Sequence, residues 1–237
     1  MTDLLYLSDP YQKEFEAAVC EVAGQEVSLD RTAFYPGGGG QPCDHGQITR
    51  GSRVWDVVRV RKQGSEVWHE LDGTPPGQGE RIQASLDWPR RYHLMRTHTA
   101  MHLLCGVIFR DYGACVTGGN MEPLKGRMDF EFETMRQELV REIEAKINAE
   151  VAAARPVSTR ILPREEAFQI PDLIRTKINL LPPDIQQVRV VEIVGLDLQA
   201  DGGTHVANTR EVGRIRVVDY KSKGKINKRI EVEIEEP

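Results

Sequence analysis

"RRYHLMRTHTAMHLLCGVIFRDYG", residues 90–113, is the stretch on which the reading of the fold turns. It runs to Gly113, a C-terminal stop, and reads as one long helix. Residues four apart on a helix project together. His98 and His102 therefore share a face of a segment whose apolar content suits burial.

Upstream the character is different. "LLYL", "FEAAVCEVAG", "RVWDVVRVRKQ", "SEVWHEL" and "ERIQASLD" are short runs, alternating in places and separated by Gly, Pro and Asp, which is how strands joined by turns read. Several such strands in so short a length predict a small barrel or sandwich. The change falls at Trp88-Pro89, so we expect a β-barrel domain over 1–88 and an α+β domain over 89–237. Downstream, "RMDFEFE" reads as a strand and "TMRQELVREIEAKINAEVAAAR" as a helix with Thr134 as its N-cap. "VSTRIL", "VRVVEIVG", "EVGRIRVVDYKSKG" and "KRIEVEIE" read as strands. Two long helices among strands, without a βαβ rhythm, predict an antiparallel sheet with both helices on one face, an α+β fold.

Composition narrows the function. Hydrophobic residues make up 40% of the 237 positions, an ordinary globular content. No apolar run is long enough to span a bilayer, and the start lacks a basic-then-apolar leader, so we expect a soluble cytoplasmic protein with no membrane partner. Cys20, Cys43, Cys105 and Cys115 form no C-x-x-C pair. Reduced thiols are expected, and a zinc ribbon is excluded. The net charge of −5 means that any nucleic-acid contact comes from a local patch. One such patch is the run "GRIRVVDYKSKGKINKR", with Lys223, Lys225, Lys228 and Arg229; the alternative is a solvated hairpin whose lysines guard an edge strand.

A second stretch matches the histidine helix. "LQADGGTHVANT", residues 198–209, carries Asp201 and His205 four apart, with glycines that let the backbone bend. Three imidazoles and a carboxylate suit a metal such as zinc. "PGGGGQP", residues 36–42, holds Gly37, Gly38, Gly39, Gly40 and Gln41. It lacks the G-K-[ST] ending of a nucleotide-triphosphate loop, and reads either as a plain hairpin tip or as a place of close backbone approach.

"HTAMHLL" followed by "DLQADGGTHVANTREVGRI" resembles the editing domain of alanyl-tRNA synthetase and its free-standing AlaX relatives. "TAFYPGGGGQPCDHG", residues 32–46, is similar to the glycine-rich segment of the longer AlaX type, and the likeness spans nearly the whole chain. It implies a trans-acting hydrolase that uses one zinc ion to deacylate tRNA(Ala) mischarged with serine or glycine. It implies His98, His102, Asp201 and His205 as metal ligands, with Asp201 either on the metal or behind a histidine, orienting it or accepting a proton. Thr117, in "ACVTGGNM", is the residue the likeness points to for contact with the serine side chain. The glycine loop with Gln41, the arginines Arg90, Arg91 and Arg96, and the basic hairpin would meet the tRNA. The chain departs from the family pattern at one ligand, where Asp201 stands in place of a cysteine. Two other readings fit the residues: a zinc hydrolase of a small ester or amide, and a non-catalytic tRNA-binding module with a structural metal.

Overall fold

The computed structural model describes residues 1–176, 181 and 185–235. The chain divides into two compact units, Met1–Leu94 and Met95–Pro237. In the first, β1 (Asp3–Leu4) leads straight into a short helix α1 (Leu5–Ser8). The expected strand over "LLYL" is therefore one turn of helix. β2 (Glu14–Ala23), β3 (Glu26–Leu29), β4 (Arg31–Thr32), β5 (Gly46–Arg50), β6 (Arg53–Gln63), β7 (Glu66–Leu71) and β8 (Arg81–Leu86) follow. β1 pairs in parallel with β4, while six strands close a barrel in the order β2-β3-β7-β6-β5-β8.

Alternation fills the barrel. β2 turns Phe15, Ala17 and Val19 inward and β8 turns Ile82, Ala84 and Leu86 inward, as the two-residue period of a strand requires. β6 breaks the period: Trp55 and Val57 are buried, and then Val60 rather than Arg59. A register shift between Val57 and Arg59 supplies the extra residue. A bulge thus flips the inward face part-way along the strand. At Gly46 a Cβ would lie 2.2 Å from the Ser85 carbonyl oxygen, so the β5–β8 approach requires glycine.

α2 (Trp88–Tyr112) starts in the first unit and continues into the second. It ends where expected: Gly113 has φ +65° and its N–H bonds the Phe109 carbonyl at 3.0 Å, a left-handed helix stop. Then come β9 (Val116–Glu122), β10 (Lys125–Glu131), α3 (Gln137–Ala152), β11 (Val157–Pro163), the short α4 (Arg164–Ala167), β12 (Gln187–Ile193), β13 (Asp197–Ala200), a 3₁₀ turn (Thr209–Val212), β14 (Ile215–Ser222) and β15 (Asn227–Ile234). The N-cap of α3 is Arg136, with no side-chain cap bond, so Thr134 does not cap it.

The fold is α+β. Among the described residues, the antiparallel strands of the second unit form two sheets rather than one: β14-β15-β10-β9 and β11-β12-β13. α3 lies on β14, where Asn148 bonds both the N–H and the C=O of Ile215, at 2.9 and 2.7 Å. α2 touches both sheets. A Cβ on Gly126 of β10 would meet Met101 Sδ at 2.5 Å, and a Cβ on Gly106 would come within 3.0 Å of the Asp197 Cβ on β13.

Candidate metal centre

α2 is buried on every side from Leu94 to Ile108, so each polar side chain in that stretch needs a partner. The partners locate the site. Thr97 Oγ1 accepts the Leu124 N–H at 2.9 Å. Arg96 Nε donates to the Val212 carbonyl at 3.0 Å and Nη2 to the Glu235 carbonyl at 2.6 Å. Thr99 Oγ1 accepts the Val206 N–H at 3.3 Å and pairs with His205 Nδ1 at 3.2 Å. The remaining two, His98 and His102, meet residues of the 197–205 segment.

His98, His102, Asp201 and His205 each offer one ligand atom, and these atoms all lie within 4.8 Å of one another. The His98 and His205 rings stack with centroids 4.2 Å apart, and His102 stands edge-on to His205 at 4.8 Å. Asp201 Oδ1 is 3.5 Å from His98 Nε2, and Asp201 Oδ2 pairs with His205 Nε2 at 2.9 Å. Asp201 is not on a helix. The Asp-Gly-Gly turn presents it, with Oδ2 also accepting the Gly203 N–H at 2.8 Å, a local Asx contact.

Burial sets the charge states. Desolvation pushes the His98 imidazole down to about 4 against the counter-pull of Asp201, and drives His205 well below its ordinary value. Burial would raise the Asp201 carboxyl, but the His98 charge and the His205 hydrogen bond hold it well below the usual range. Near neutrality the His98 and His205 imidazoles are thus neutral and the Asp201 carboxylate ionised, the forms that bind a cation. His102 differs: burial opposes its protonation, yet the hydrogen bond and charge of Asp197 raise it.

Asp197 is the residue that reading the sequence missed. An acid in a four-residue strand reads as exposed, but its side chain is fully buried, with Oδ2 2.9 Å from His102 Nδ1. Gln199 Nε2 donates to the same oxygen at 2.7 Å. Among the described residues, Oδ1 has no hydrogen-bond partner, which costs about 1–3 kcal/mol. One signal was available: Gly106 lies one turn after His102, where an added Cβ would come within 3.0 Å of Asp197.

The other candidates are scattered. Thr117 is exposed on β9 and its hydroxyl donates to Asn227 Oδ1 at 2.8 Å. Gly37, Gly38, Gly39 and Gly40 have φ of +84°, +136°, +58° and +91°, backbone that only glycine adopts readily. Gln41 is buried and its backbone closes the loop on Gly38. Arg90 donates to the Cys43 carbonyl at 3.1 Å. Arg91 is fully buried and spends its guanidinium on the Asp44 carboxylate and on the Pro10 and Ala33 carbonyls. Arg91 and Arg96 are thus internal struts, and the expectation that they meet RNA is corrected. Lys228 is buried and donates to the Gly224 and Lys225 carbonyls, while Arg229 forks onto Asp129 at 2.7 and 2.8 Å. Of the four basic hairpin residues, Lys223 and Lys225 are exposed.

A buried group of three imidazoles and a carboxylate that could hold a metal ion is carried on this α+β unit, and comparison with known proteins places the chain among domains associated with tRNA synthetases. Residues 188–231 match the family described as threonyl and alanyl tRNA synthetase second additional domain, and residues 5–90 match class II (A) tRNA synthetases. The alanyl-tRNA editing protein AlaX-M of Saccharolobus solfataricus is 40% identical over 97% of this chain and 98% of its own length, and that of Methanosarcina barkeri is 38% identical with the same coverage. An alanine–tRNA ligase of Ignicoccus hospitalis is 39% identical over 93% of the chain, which spans 24% of that enzyme. The chain belongs to the AlaX-M family of alanyl-tRNA editing proteins.

Proposed function

We propose that the chain is a trans-acting, cytoplasmic editing hydrolase that cleaves the ester joining serine, or glycine, to tRNA(Ala), with one zinc ion held by His98, His102, Asp201 and His205. The observation that carries this reading is the convergence of those four donors in a chain of the AlaX-M family. The donor set fits zinc: imidazole nitrogen and carboxylate oxygen are both zinc ligands, and burial keeps two of the rings neutral. When bound, zinc supplies Lewis acidity toward a carbonyl or a water molecule.

The protein residues supply the rest. Four protein donors close a tetrahedral ion, whereas catalytic sites keep one position open. Asp201 is the donor suited to yield, because its Oδ2 already has His205 and Gly203 as partners. If it does not hold the ion, an ionised Asp201 would accept a proton from the attacking water and pass it to the departing ribose oxygen as the ester C–O bond breaks. Thr117 is proposed to meet the serine hydroxyl. A site that hydrogen-bonds a hydroxyl favours serine over alanine and glycine alike, either of which would leave the site's own polar group unpaired, so this contact supports the serine substrate and not the glycine one. Lys223 and Lys225 are the cations proposed for phosphate contacts, which position an RNA without reading its sequence. The loop Gly37–Gly40, Gln41 and Arg90 are kept as further candidates for RNA contact.

Deacylation of Ser-, Gly- and Ala-tRNA(Ala) by the full chain, with and without chelator, tests the reading. Release of serine or glycine, sparing of alanine and loss on chelation are expected, with affinity falling steeply as salt rises. Unchanged rates after chelation and in His98→Ala would overturn it, and a flat salt response would favour a small-molecule ester or amide.

A further inference from the structure

We infer that Asp197 is a positioning residue: by holding the Nδ1–H of His102 it commits the other ring nitrogen to the metal, and so sets how tightly the ion is bound. The inference rests on reading the cluster as a metal site, and not on the identity of the ester.

Three observations meet at this carboxylate. Its Oδ2 is 2.9 Å from His102 Nδ1, in a side chain with no exposure. Gln199 Nε2 donates to the same oxygen at 2.7 Å, lies 3.4 Å from His102 Nδ1 and also reaches Cys105 Sγ at 3.4 Å, so the carboxylate is held beside the His102 ring. Oδ1 has no hydrogen-bond partner among the described residues. What a carboxylate does better than an amide or a hydroxyl is accept strongly from an imidazole N–H.

A neutral imidazole has one N–H and one lone pair. With Nδ1–H given to Asp197, the lone pair is on Nε2, and the ring is oriented as well as polarised. His205 is held less firmly at the corresponding atom, by the neutral Thr99 hydroxyl at 3.2 Å. α2 passes close to Asp197 at Gly106, where an added Cβ would lie 3.0 Å from the Asp197 Cβ, and this packing sets the carboxylate beside His102. Two ligand rings thus have different supports, one charged and one neutral.

The test is zinc affinity of the metal-free full chain, measured by competition with a chromophoric chelator, for wild type and Asp197→Asn. Alongside it, far-UV circular dichroism and the thermal midpoint of the metal-free proteins report folding. We expect the Asn variant to bind zinc about 10- to 100-fold more weakly while its metal-free form stays folded. A lowered metal-free midpoint with unchanged zinc affinity of the folded protein would mark Asp197 as structural only and overturn the inference. Should the Asn variant not fold, Gln199→Leu, which loosens the carboxylate without removing it, is expected to weaken zinc in the same direction, and unchanged affinity there overturns the inference equally. A wild-type chain that binds no zinc overturns it together with the metal reading, whereas tight wild-type binding matched by the Asn variant overturns the positioning role alone.

Discussion

Arg91 and His98 stand seven residues apart on one helix and both are buried, yet their surroundings are opposite in kind. Arg91 is complete. Its donors meet the Asp44 carboxylate and two backbone carbonyls, all within the barrel unit. His98 faces two more imidazoles and a carboxylate, a set of lone pairs gathered with their rings 4.2 to 5.2 Å apart. Burial is therefore not what marks the site. The balance of donors and acceptors marks it: an ion pair with matched partners is architecture, and a buried convergence of lone pairs has the composition of a ligand set.

The contrast can be broken from either side. Arg91→Met leaves the Asp44 carboxylate buried without its cation, and should cost about 3–5 kcal/mol in urea unfolding; a loss under 1 kcal/mol would show the pair to be dispensable. Within the same barrel, His69 is fully buried, with Nε2 2.8 Å from Thr32 Oγ1, and desolvation pushes it down to about 4. Its folded value lies below the unfolded one, so the unfolded chain binds the extra proton between about pH 6.5 and 4. Stability should fall as pH drops through that window, by about 3 kcal/mol from this group, and level off below it. Denaturation series across pH, with the His69 ring followed by NMR, check the slope and its owner.

His98→Ala should leave metal-free stability close to wild type, abolish stoichiometric zinc, and lower deacylation by about 100-fold or more, equivalent to about 2.7 kcal/mol. Metal analysis and single-turnover rates measure it. Gly106→Ala forces a contact at 3.0 Å against Asp197 and Leu196, and a shift of a few tenths of an ångström there should weaken zinc by about tenfold through the His102 support. Replacing Lys223 and Lys225 by Ala should act most gently. The dependence of tRNA affinity on salt should flatten by about one unit of slope for each lysine, with zinc content untouched.

Much of this contrast was legible in the residues. The spacing of His98 and His102 placed two rings on one helix face, and the Asp-Gly-Gly turn was readable as the device that presents Asp201 and His205. The barrel was readable from its short strands, although β3, β4 and β5 went unread and the bulge in β6 left no pattern, because one extra residue looks like ordinary sequence. Arg91 and Arg96 were misread for a physical reason. A lone arginine gives no sign of whether a carboxylate far along the chain, here Asp44, or the carbonyls of Val212 and Glu235 will take its donors. Asp197 was hidden by the same long-range pairing, since its partner lies 95 positions away.

The replacement of a thiolate by Asp201 has a chemical consequence. Nothing in the donor set can be oxidised to a sulfenic acid or drawn into a mixed disulfide. The nearby Cys105 is a free thiol whose pKa burial pushes up, far from the reactive thiolate form. Peroxide or an alkylating reagent, which would strip a cysteine-ligated ion, finds no sulfur to attack in the donor set itself.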